Sequence, residues 1–430
     1  MKKVLIITYY WPPAGGPGVQ RVLKFAKYLP QFGWQPLILT VKKGEYPAID
    51  ETLAKDIPEN CKVYKTNSIE PNFLYKKFTG TKNIPVAVLT EKNLTWKKKL
   101  ANWIRLNLFI PDAKIGWMPF AVREGKKIIE REKPDIIFSS SPPPTVHLIA
   151  KKLAKCSGIK WVADFRDPWT DIDYYQKVNR SKLAETIDEL LEEKVLKSAN
   201  NIVTISESMA IRFSHISNKI CNTIYNGFDS EDFLNYQNNI ADTKKFTILY
   251  VGNLGNNRNP EPLLDTITDL INENTIDRKK IEIIFIGRTS NRLLLIKKKY
   301  SQLSIIFKGY MQYKATIDYI MKTDVLLLLI NNIANNEGII TSKIFSYLPT
   351  GNYILAFGPE KGEVDKILTY TKTGQIFSYY NKDRIKNTLI NLYEKWEKNI
   401  PLTTINKKEV EKYSRKNETM MLSKIFKRLT

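Results

Sequence analysis

The sequence is poor in cysteine and histidine, the residues that form disulfides and bind metals in small secreted proteins. It contains three cysteines, Cys61, Cys156 and Cys221, which are odd in number and widely spaced. This pattern argues against a disulfide framework or a zinc cluster and predicts reduced thiols in the cytoplasm. Histidine is equally scarce: there are two, His147 and His215, and an isolated histidine is more often structural than catalytic.

Long hydrophobic runs are also missing. No apolar stretch approaches the ~18 residues of a membrane-spanning helix. The run after Met1 is short, and aromatic, proline and glycine residues follow it in place of a small-residue cleavage site, so it is predicted to be a strand rather than a signal peptide. Hydrophobic residues nevertheless make up 43% of the chain, which is enough for packed cores.

Acidic residues are too few to balance the basic ones. There are 67 Lys and Arg against 44 Asp and Glu, a formal net charge of +23. Such an excess suits nucleic acid, an anionic membrane or an anionic substrate. The charge is spread along the chain and no nucleic-acid-binding motif accompanies it, so we expect no nucleic-acid partner. As an explanation of the positive charge, binding to an anionic membrane surface is favoured over binding to nucleic acid. The alternative is a lysine-rich composition that serves no partner.

Short apolar runs alternate with helical segments throughout the chain. This alternation predicts parallel, doubly wound α/β sheets. It pauses in a polar stretch at 228–243 and then restarts, which predicts two domains of similar design. We place the first at 1–235 and the second at 240–409. The expected strands lie at 4–10, 36–41, 61–65, 135–138, 160–163, 201–205, 246–251, 281–286, 304–307, 325–330 and 353–357.

The segment 337–351 carries the most specific signal. It reads EGIITSKIFSYLPTG and follows a buried-looking strand. Thr341 or Ser342 is predicted to cap a helix with Lys343 in its first turn. Backbone N–H groups at a helix start and an adjacent ammonium make an anion site. Residues 252–262, GNLGNNRNPEP, place Arg258 ahead of another helix start, where a guanidinium can grip phosphate oxygens.

The first half offers three further loops. Residues 11–21, WPPAGGPGVQR, carry Gly15 and Gly16 after the first strand, where paired glycines let backbone approach a ligand or simply make a tight turn. Residues 161–169, WVADFRDPW, place Asp164, Arg166 and Asp167 at a strand's carboxyl end. The alternative there is an ion pair that pins the loop. Residues 139–147, SSSPPPTVH, end at His147.

The segment 95–109 combines tryptophans and lysines. It reads TWKKKLANWIRLNLF and is predicted to place Trp96, Leu100, Trp103 and Asn107 on one helical face. A basic helix of this kind can lie in a membrane interface. An ordinary helix packed on its domain is an equally good interpretation.

Taken in order, these strings resemble group 1 (family 4-like) glycosyltransferases of bacterial polysaccharide or lipopolysaccharide synthesis. The resemblance implies a GT-B fold: two Rossmann-like doubly wound domains facing an interdomain cleft, with a C-terminal helix, here 410–430, crossing back to the first domain. It implies a metal-independent hexosyltransferase without a cofactor, which transfers a sugar from a nucleoside-diphosphate sugar to a glycan or polyprenyl-type lipid-linked acceptor, with retention. The expected location is cytoplasmic, with peripheral contact at the inner face of the plasma membrane.

The resemblance also assigns site residues. Asp164 and His147 become catalytic candidates, and Arg166 and Asp167 lie towards the acceptor. The donor-binding candidates are Gly15, Gly16, Gly252, Asn253, Arg258, Gly338, Lys343 and Ser346.

Three positions depart from the family pattern. Ser346 stands where members carry a glutamate that binds the ribose hydroxyls, and Gly338 stands where a first acidic residue is expected, with Glu337 one place away. Asn253 likewise replaces a basic residue. The departures leave two other functions open: a sugar-nucleotide epimerase of the same fold, and a catalytically degenerate member that binds glycan or acts as a scaffold.

Overall fold

The structure, a computed structural model, describes residues 1–46, 48–70, 95–171, 180–236, 245–255, 257–288, 291–333 and 336–430. It divides into two compact units. The first comprises Met1–Tyr225 with Glu418–Thr430, and the second comprises Asn226–Asn417. The chain therefore leaves the first unit after Tyr225 and returns to it at Glu418. The boundaries expected from the sequence were 235–240 and 410.

The first unit is built on a parallel sheet of seven strands within the described ranges, in the order β3-β2-β1-β4-β5-β6-β7. The central strands are buried on both faces, which is why they read as continuous apolar runs. The strands are β1 (Lys2–Ile7), β2 (Trp34–Val41), β3 (Lys62–Thr66), β4 (Ile136–Ser141), β5 (Trp161–Phe165), β6 (Asn201–Thr204) and β7 (Cys221–Thr223).

The helices of the first unit cover both faces of this sheet. Helix α1 begins with a proline at its first position, where no hydrogen bond is lost. Its buried side chains recur at helical spacing at Val19, Val22, Leu23 and Ala26. The helices are α1 (Pro17–Tyr28), α2 (Trp96–Asn107), α3 (Met118–Glu132), α4 (Thr145–Ser157), α5 (Lys182–Ser198) and α6 (Glu207–Ser217).

Helix α2 exposes three large apolar side chains. Trp96, Leu100 and Trp103 are 67%, 43% and 49% exposed. Asn107, predicted to share their face, is instead buried, and its side-chain oxygen accepts a hydrogen bond of 2.7 Å from Ser181 N at the start of α5. The helix is therefore anchored at its last turn.

The second unit contains a parallel sheet of six strands in the described ranges, in the order β10-β9-β8-β11-β12-β13. Its core is formed by the apolar side chains of these strands and of the helices packed on them. The strands are β8 (Phe246–Val251), β9 (Ile281–Ile286), β10 (Ile305–Lys308), β11 (Val325–Leu329), β12 (Tyr353–Phe357) and β13 (Gly374–Phe377). The helices are α7 (Glu261–Asn272), α8 (Asn291–Lys299), α9 (Tyr313–Met321), α10 (Lys343–Tyr347), α11 (Glu363–Thr371), α12 (Lys382–Glu397) and α13 (Lys407–Glu411).

The last helix, α14 (Arg415–Leu429), contributes to the core of the first unit. Phe426 is fully buried, and its ring centroid lies 5.2 Å from that of Trp34 and 5.7 Å from that of Phe138. The prediction of two Rossmann-like doubly wound units is confirmed. No helix in the described ranges is both long enough and apolar enough to cross a membrane.

Candidate functional site

Each sheet has one point where the strand order reverses. In the second unit the chain runs outward from β8 through β9 to β10 and then resumes with β11 on the other side of β8. In the first unit the reversal falls between β1 and β4. Loops at the carboxyl ends of strands separate at such a point and leave a crevice, where open α/β sheets bind ligands. Gly252 and Arg258 follow β8, the segment with Lys343 follows β11, and Gly15 and Gly16 follow β1, so these candidates lie at the reversals.

Lys343 lies against the backbone at the end of β8. Its Nζ is 3.2 Å from Tyr250 Oη and 4.8 Å from the centroid of that ring. Gly252 has a φ of +121°, and a Cβ there would lie only 2.4 Å from Lys343 Cε. Both the left-handed backbone and the close approach of the lysine require glycine at this position.

The environment of this lysine favours its neutral form. Burial, with a smaller contribution from the positive charge of Arg258, lowers the pKa of Lys343 to about 7. Among the described residues, its Nζ contacts the Tyr250 hydroxyl, and no carboxylate contributes to its shifted pKa. A buried amine held beside a second cation is poised to take up a proton when an anion arrives.

Arg258 joins the loops after β8 and β11, and Asn253 links them to the loop after β9. Its Nε donates to Asn331 Oδ1 at 2.9 Å, beyond β11, and its Nη1 lies 3.4 Å from Asn253 O, beyond β8. Asn253 Oδ1 in turn accepts a hydrogen bond of 3.2 Å from Arg288 N, beyond β9. The three loops are thus held around two cationic side chains, Arg258 and Lys343.

The segment before Lys343 forms a turn and a short helix. Gly338 lies in the turn, and Thr341 Oγ1 accepts a hydrogen bond of 3.3 Å from Lys343 N. Helix α10 has only five residues and is followed by a 3₁₀ turn. Ser346 is partly exposed, and it lies close enough to the hydroxyl of Tyr313 to influence the pKa of that phenol, which burial raises. Tyr313 was not found from the sequence, because nothing in its neighbourhood indicates a partner in α10.

In the first unit, the Gly15 and Gly16 loop is pinned to the segment after β2. Gly15 N donates to Ala48 O at 2.9 Å, and Asp50 N donates to Pro13 O at 2.9 Å. A Cβ at Gly15 would lie 3.0 Å from the Cβ of Asp50. Gly16 has a φ of +94° and immediately precedes α1. The two glycines therefore permit the tight turn that packs against residues 48–50.

Asp164 lies in a buried ion pair. Arg21 contacts both its carboxylate oxygens, with Nη2 2.8 Å from Oδ1 and Nε 3.1 Å from Oδ2, and both side chains are fully buried. Ser140 Oγ donates a further hydrogen bond of 2.6 Å, and Arg21 Nη1 donates to Tyr225 O at 2.8 Å. The sequence did not predict this role for Arg21, because an arginine early in an amphipathic helix is expected to face solvent.

Arg166 serves as a brace for backbone. It donates to Ser141 O at 2.8 Å, to Pro142 O at 3.1 Å and to Gly18 O. Asp167, the next residue, is exposed. Arg166 thus holds the loop in place through hydrogen bonds to backbone carbonyl oxygens. The alternative expected from the sequence was an ion pair that pins the loop.

His147 is enclosed by aromatic rings and cannot reach solvent. It is fully buried, its ring centroid lies 4.2 Å from that of Phe165, and its Nδ1 shares a hydrogen bond of 2.8 Å with Ser139 Oγ. Its Nε2 has no hydrogen-bond partner among the described residues. Burial lowers the pKa of His147 to about 3, so the ring is neutral at physiological pH. The catalytic roles of His147 and Asp164 stay predictions.

The predicted residues therefore fall into two groups. Gly252, Asn253, Arg258, Lys343 and Ser346 share one edge of the second sheet, with Gly338 in the preceding turn. Gly15, Gly16, Asp164, Arg166, Asp167 and His147 belong to the first unit. In the described ranges, no three acidic, cysteine or histidine side chains converge as metal ligands.

Comparison with known proteins agrees with this architecture. Residues 83–232 match the model of the family described as Glycosyltransferase Family 4. No curated protein sequence matches the chain.

Several solved structures resemble the whole chain. Sucrose-phosphate synthase from Thermosynechococcus elongatus is similar with a TM-score of 0.63 and 13% identity, covering 100% of this chain and 99% of its own. Anabaena Alr3699/HepE, in complex with UDP and glucose, gives 0.59 and 11%, covering 100% of both chains. The lipopolysaccharide outer core galactosyltransferase WaaB gives 0.57 and 13%, covering 99% of this chain and 100% of its own. At these identities the likeness establishes the fold, and that fold is the GT-B fold of two Rossmann-like units.

Proposed function

We propose that this protein is a group 1, family 4-like glycosyltransferase that transfers a sugar from a nucleoside-diphosphate sugar to a glycan or lipid-linked acceptor. The observation that carries the proposal is that Lys343 lies against Gly252 and Arg258 lies against Asn253 O in the loop after β8, at the strand-order reversal of the second sheet. Two cations held at the edge where such sheets bind ligands suit a diphosphate. The match of residues 83–232 to a glycosyltransferase family supports the same function.

The chemical task of these cations is to stabilise the leaving group. In the transfer, the bond between the sugar's anomeric carbon and the donor phosphate oxygen breaks, a bond from that carbon to an acceptor hydroxyl oxygen forms, and the hydroxyl proton is released. Negative charge develops on the departing nucleoside diphosphate, and preorganised cations lower the barrier most when they face that charge. Lys343 and Arg258 supply this stabilisation without a metal ion, so we propose a metal-independent reaction without a cofactor.

The similar structures support the choice of donor and biological context. HepE binds UDP-glucose, and WaaB is a lipopolysaccharide galactosyltransferase. We extend to this chain a nucleotide-sugar donor, a hexosyl group, cell-surface polysaccharide synthesis in the cytoplasm and transfer with retention.

Titration calorimetry with UDP and GDP tests the core of the proposal. The wild-type protein should bind one of them, and Lys343→Met should weaken binding about 10- to 150-fold, the equivalent of one charge-assisted hydrogen bond. Lys361→Met removes an exposed lysine of the same unit and is the matched control. A folded wild-type protein that binds neither nucleotide refutes the proposal.

Two other functions are separated by the substrate requirement. An epimerase would convert a sugar nucleotide without any acceptor, and product analysis of such an incubation detects it. A glycan-binding scaffold is favoured by one observation, the absence of a carboxylate at Ser346. Such a protein would retain its fold yet neither bind nucleotide nor release it from a donor.

Helix α2 gives the proposal its membrane component. Its exposed residues include Leu100, Trp103 and the flanking Lys97 and Lys99. Aromatic and aliphatic side chains beside lysines suit the interface of an anionic bilayer, where each lysine contributes about 1 kcal/mol. Peripheral attachment at the inner face of the plasma membrane would bring the enzyme to a lipid-linked acceptor.

Co-sedimentation with vesicles tests this attachment. Wild-type protein should sediment with vesicles that contain phosphatidylglycerol and less with pure phosphatidylcholine. The double change Leu100→Ser and Trp103→Ser should release it. Ile220→Ser removes an exposed side chain elsewhere in the first unit and should leave binding unchanged. Equal sedimentation of both variants contradicts a role for α2.

A further inference from the structure

A groove lies at the outer edge of the second sheet, where it is lined by the edge strand β13 and helix α12. Its volume is about 320 Å³, and ligand pockets have volumes on the order of 300–1,000 Å³. Tyr353, the first residue of β12, also lines it. The donor candidates instead follow the carboxyl ends of β8 and β11. The groove is therefore a separate place on the same unit.

Side-chain amides make up most of the polar lining. Gln375 belongs to β13, and Asn387 and Asn391 belong to α12, where residues four apart share a face. All three are exposed, and none of their amides hydrogen-bonds to another described residue. An amide carries two donor hydrogens and an acceptor oxygen. The groove thus offers donors and acceptors side by side, which is what the hydroxyls of a sugar require.

The base of the groove is apolar. Tyr353 and Leu392 are only 8% and 3% exposed, and Leu402 also lines this part. The Tyr353 hydroxyl makes no hydrogen bond to a described residue. A sugar ring carries C–H groups on its faces and hydroxyls around its rim. It can therefore lay one face on this base while its hydroxyls meet the amides and the phenol.

The charged lining is positive. Arg384 and Lys395 line the groove, and no carboxylate does so among the described residues. Arg384 Nη1 lies 3.3 Å from Glu360 Oε1, whereas Lys395 has no acidic partner in the described ranges. Lys395 is one turn beyond Asn391 on the same face of α12. A carboxylate on the ligand would therefore find its counter-charge at Lys395.

We propose that this groove binds a segment of an acidic glycan chain, with its hydroxyls at Gln375, Asn387 and Asn391 and a carboxylate at Lys395. The choice of a glycan rests on the proposed function, in which the acceptor is a glycan. The groove holds the chain without reacting with it. Binding at a second place raises the effective concentration of the chain at the enzyme, so a growing product stays attached between transfers.

Calorimetry with oligogalacturonate, an acidic glycan, and maltoheptaose, a neutral one, tests the assignment. The double change Asn387→Ala and Asn391→Ala should weaken binding of oligogalacturonate about 5- to 150-fold, the loss expected for two neutral hydrogen bonds. Alanine is a strong helix former, so this variant should fold. Gln302→Ala removes a partly exposed amide elsewhere in the second unit. It is the matched control and should bind as the wild type does.

Lys395→Gln tests the preference for acidic chains. The wild type should bind oligogalacturonate more tightly than maltoheptaose, and Lys395→Gln should remove that difference while leaving maltoheptaose binding unchanged. Equal affinity of the wild type for the two glycans contradicts the role of Lys395. A wild type that binds neither glycan, or a double variant that binds as the wild type does, overturns the inference.

The outcomes also separate this groove from the donor site. Binding of UDP or GDP should be the same in the double alanine variant and the wild type, because no donor candidate lines the groove. If glycan binding depends on the two asparagines while the wild type binds no nucleotide, the groove stands and the transferase proposal fails. If nucleotide binds and glycan binding is independent of the asparagines, the groove is wrong and the donor site stands.

Discussion

The protonation of Lys343 gives the sharpest test of the donor site. With a pKa of about 7 in the free protein, its amine is largely charged below pH 7 and largely neutral above it. A diphosphate prefers the charged form, so binding should draw a proton from solution. Affinity should therefore be full below pH 7 and should fall as pH rises. Between pH 6 and pH 8 the charged fraction drops about tenfold, and the dissociation constant should rise by about the same factor.

The ligand in this measurement should be a sugar nucleotide. A terminal phosphate has its own ionisation near pH 6, which would obscure that of the lysine. Both phosphates of a sugar nucleotide are diesters and lack it. Calorimetry at pH 8 in buffers of different ionisation enthalpy should report uptake of nearly one proton.

Lys343→Arg is the decisive variant, because a guanidinium remains charged throughout this range. Its affinity should be independent of pH and its proton uptake zero. If the arginine variant keeps the tenfold change, another group titrates and the assignment of Lys343 is wrong.

The same shift predicts the opposite trend for folding. The pKa of Lys343 falls from 10.5 to about 7 on folding, so between these values the unfolded chain binds more protons and stability rises with pH. Relative to Lys343→Met, the free energy of unfolding of the wild type should increase from pH 7 to pH 9. A constant difference would show that the amine is solvated.

Three further variants probe neighbouring features. Gly252→Ala should lose about 1–3 kcal/mol of unfolding free energy through its strained φ and also weaken nucleotide binding, because its Cβ displaces Lys343; unchanged calorimetry would contradict the contact. Asp164→Asn should lose about 3–5 kcal/mol in urea denaturation, because it leaves the buried Arg21 unpaired; an unchanged midpoint with lost transfer would instead support a catalytic Asp164. Ser346→Glu should tighten nucleotide binding in calorimetry, and weaker binding would refute the alignment of this position with the family glutamate.

The parallel sheets could be predicted from the sequence, because a strand that is buried on both faces appears as a continuous apolar run. The expected strands at 246–251, 281–286 and 353–357 coincide with β8, β9 and β12. Strands β7 and β13 were missed, since the polar and glycine residues of Cys221–Thr223 and Gly374–Phe377 leave no apolar run there. Strand alternation also does not fix strand order, so the edge at which Lys343 meets Gly252 appears only in the folded sheet.

The side-chain partners were much less accessible to sequence reasoning. Asp164 looks like a free carboxylate at a strand end until helix α1 brings Arg21 against it. Nothing near Ser346 in sequence indicates Tyr313, which arrives from a helix that follows another strand. Long-range pairs depend on helix packing and register, which local patterns do not encode.

The three carbonyl oxygens held by Arg166 have a thermodynamic consequence for the proposed acceptor, if it binds to the first unit. Loops that must order around a ligand lose conformational entropy when it binds, and that loss reduces affinity. In the first unit the first turn of α1 and the end of β4 with its following loop are already joined by one planar guanidinium. An acceptor that binds there meets a preorganised backbone. Arg166 would thus contribute to affinity without touching the acceptor. The single ammonium of a lysine cannot reproduce this rigid fork of donors. In an Arg166→Lys variant the loops would therefore lose conformational entropy only when the ligand binds, and affinity would fall.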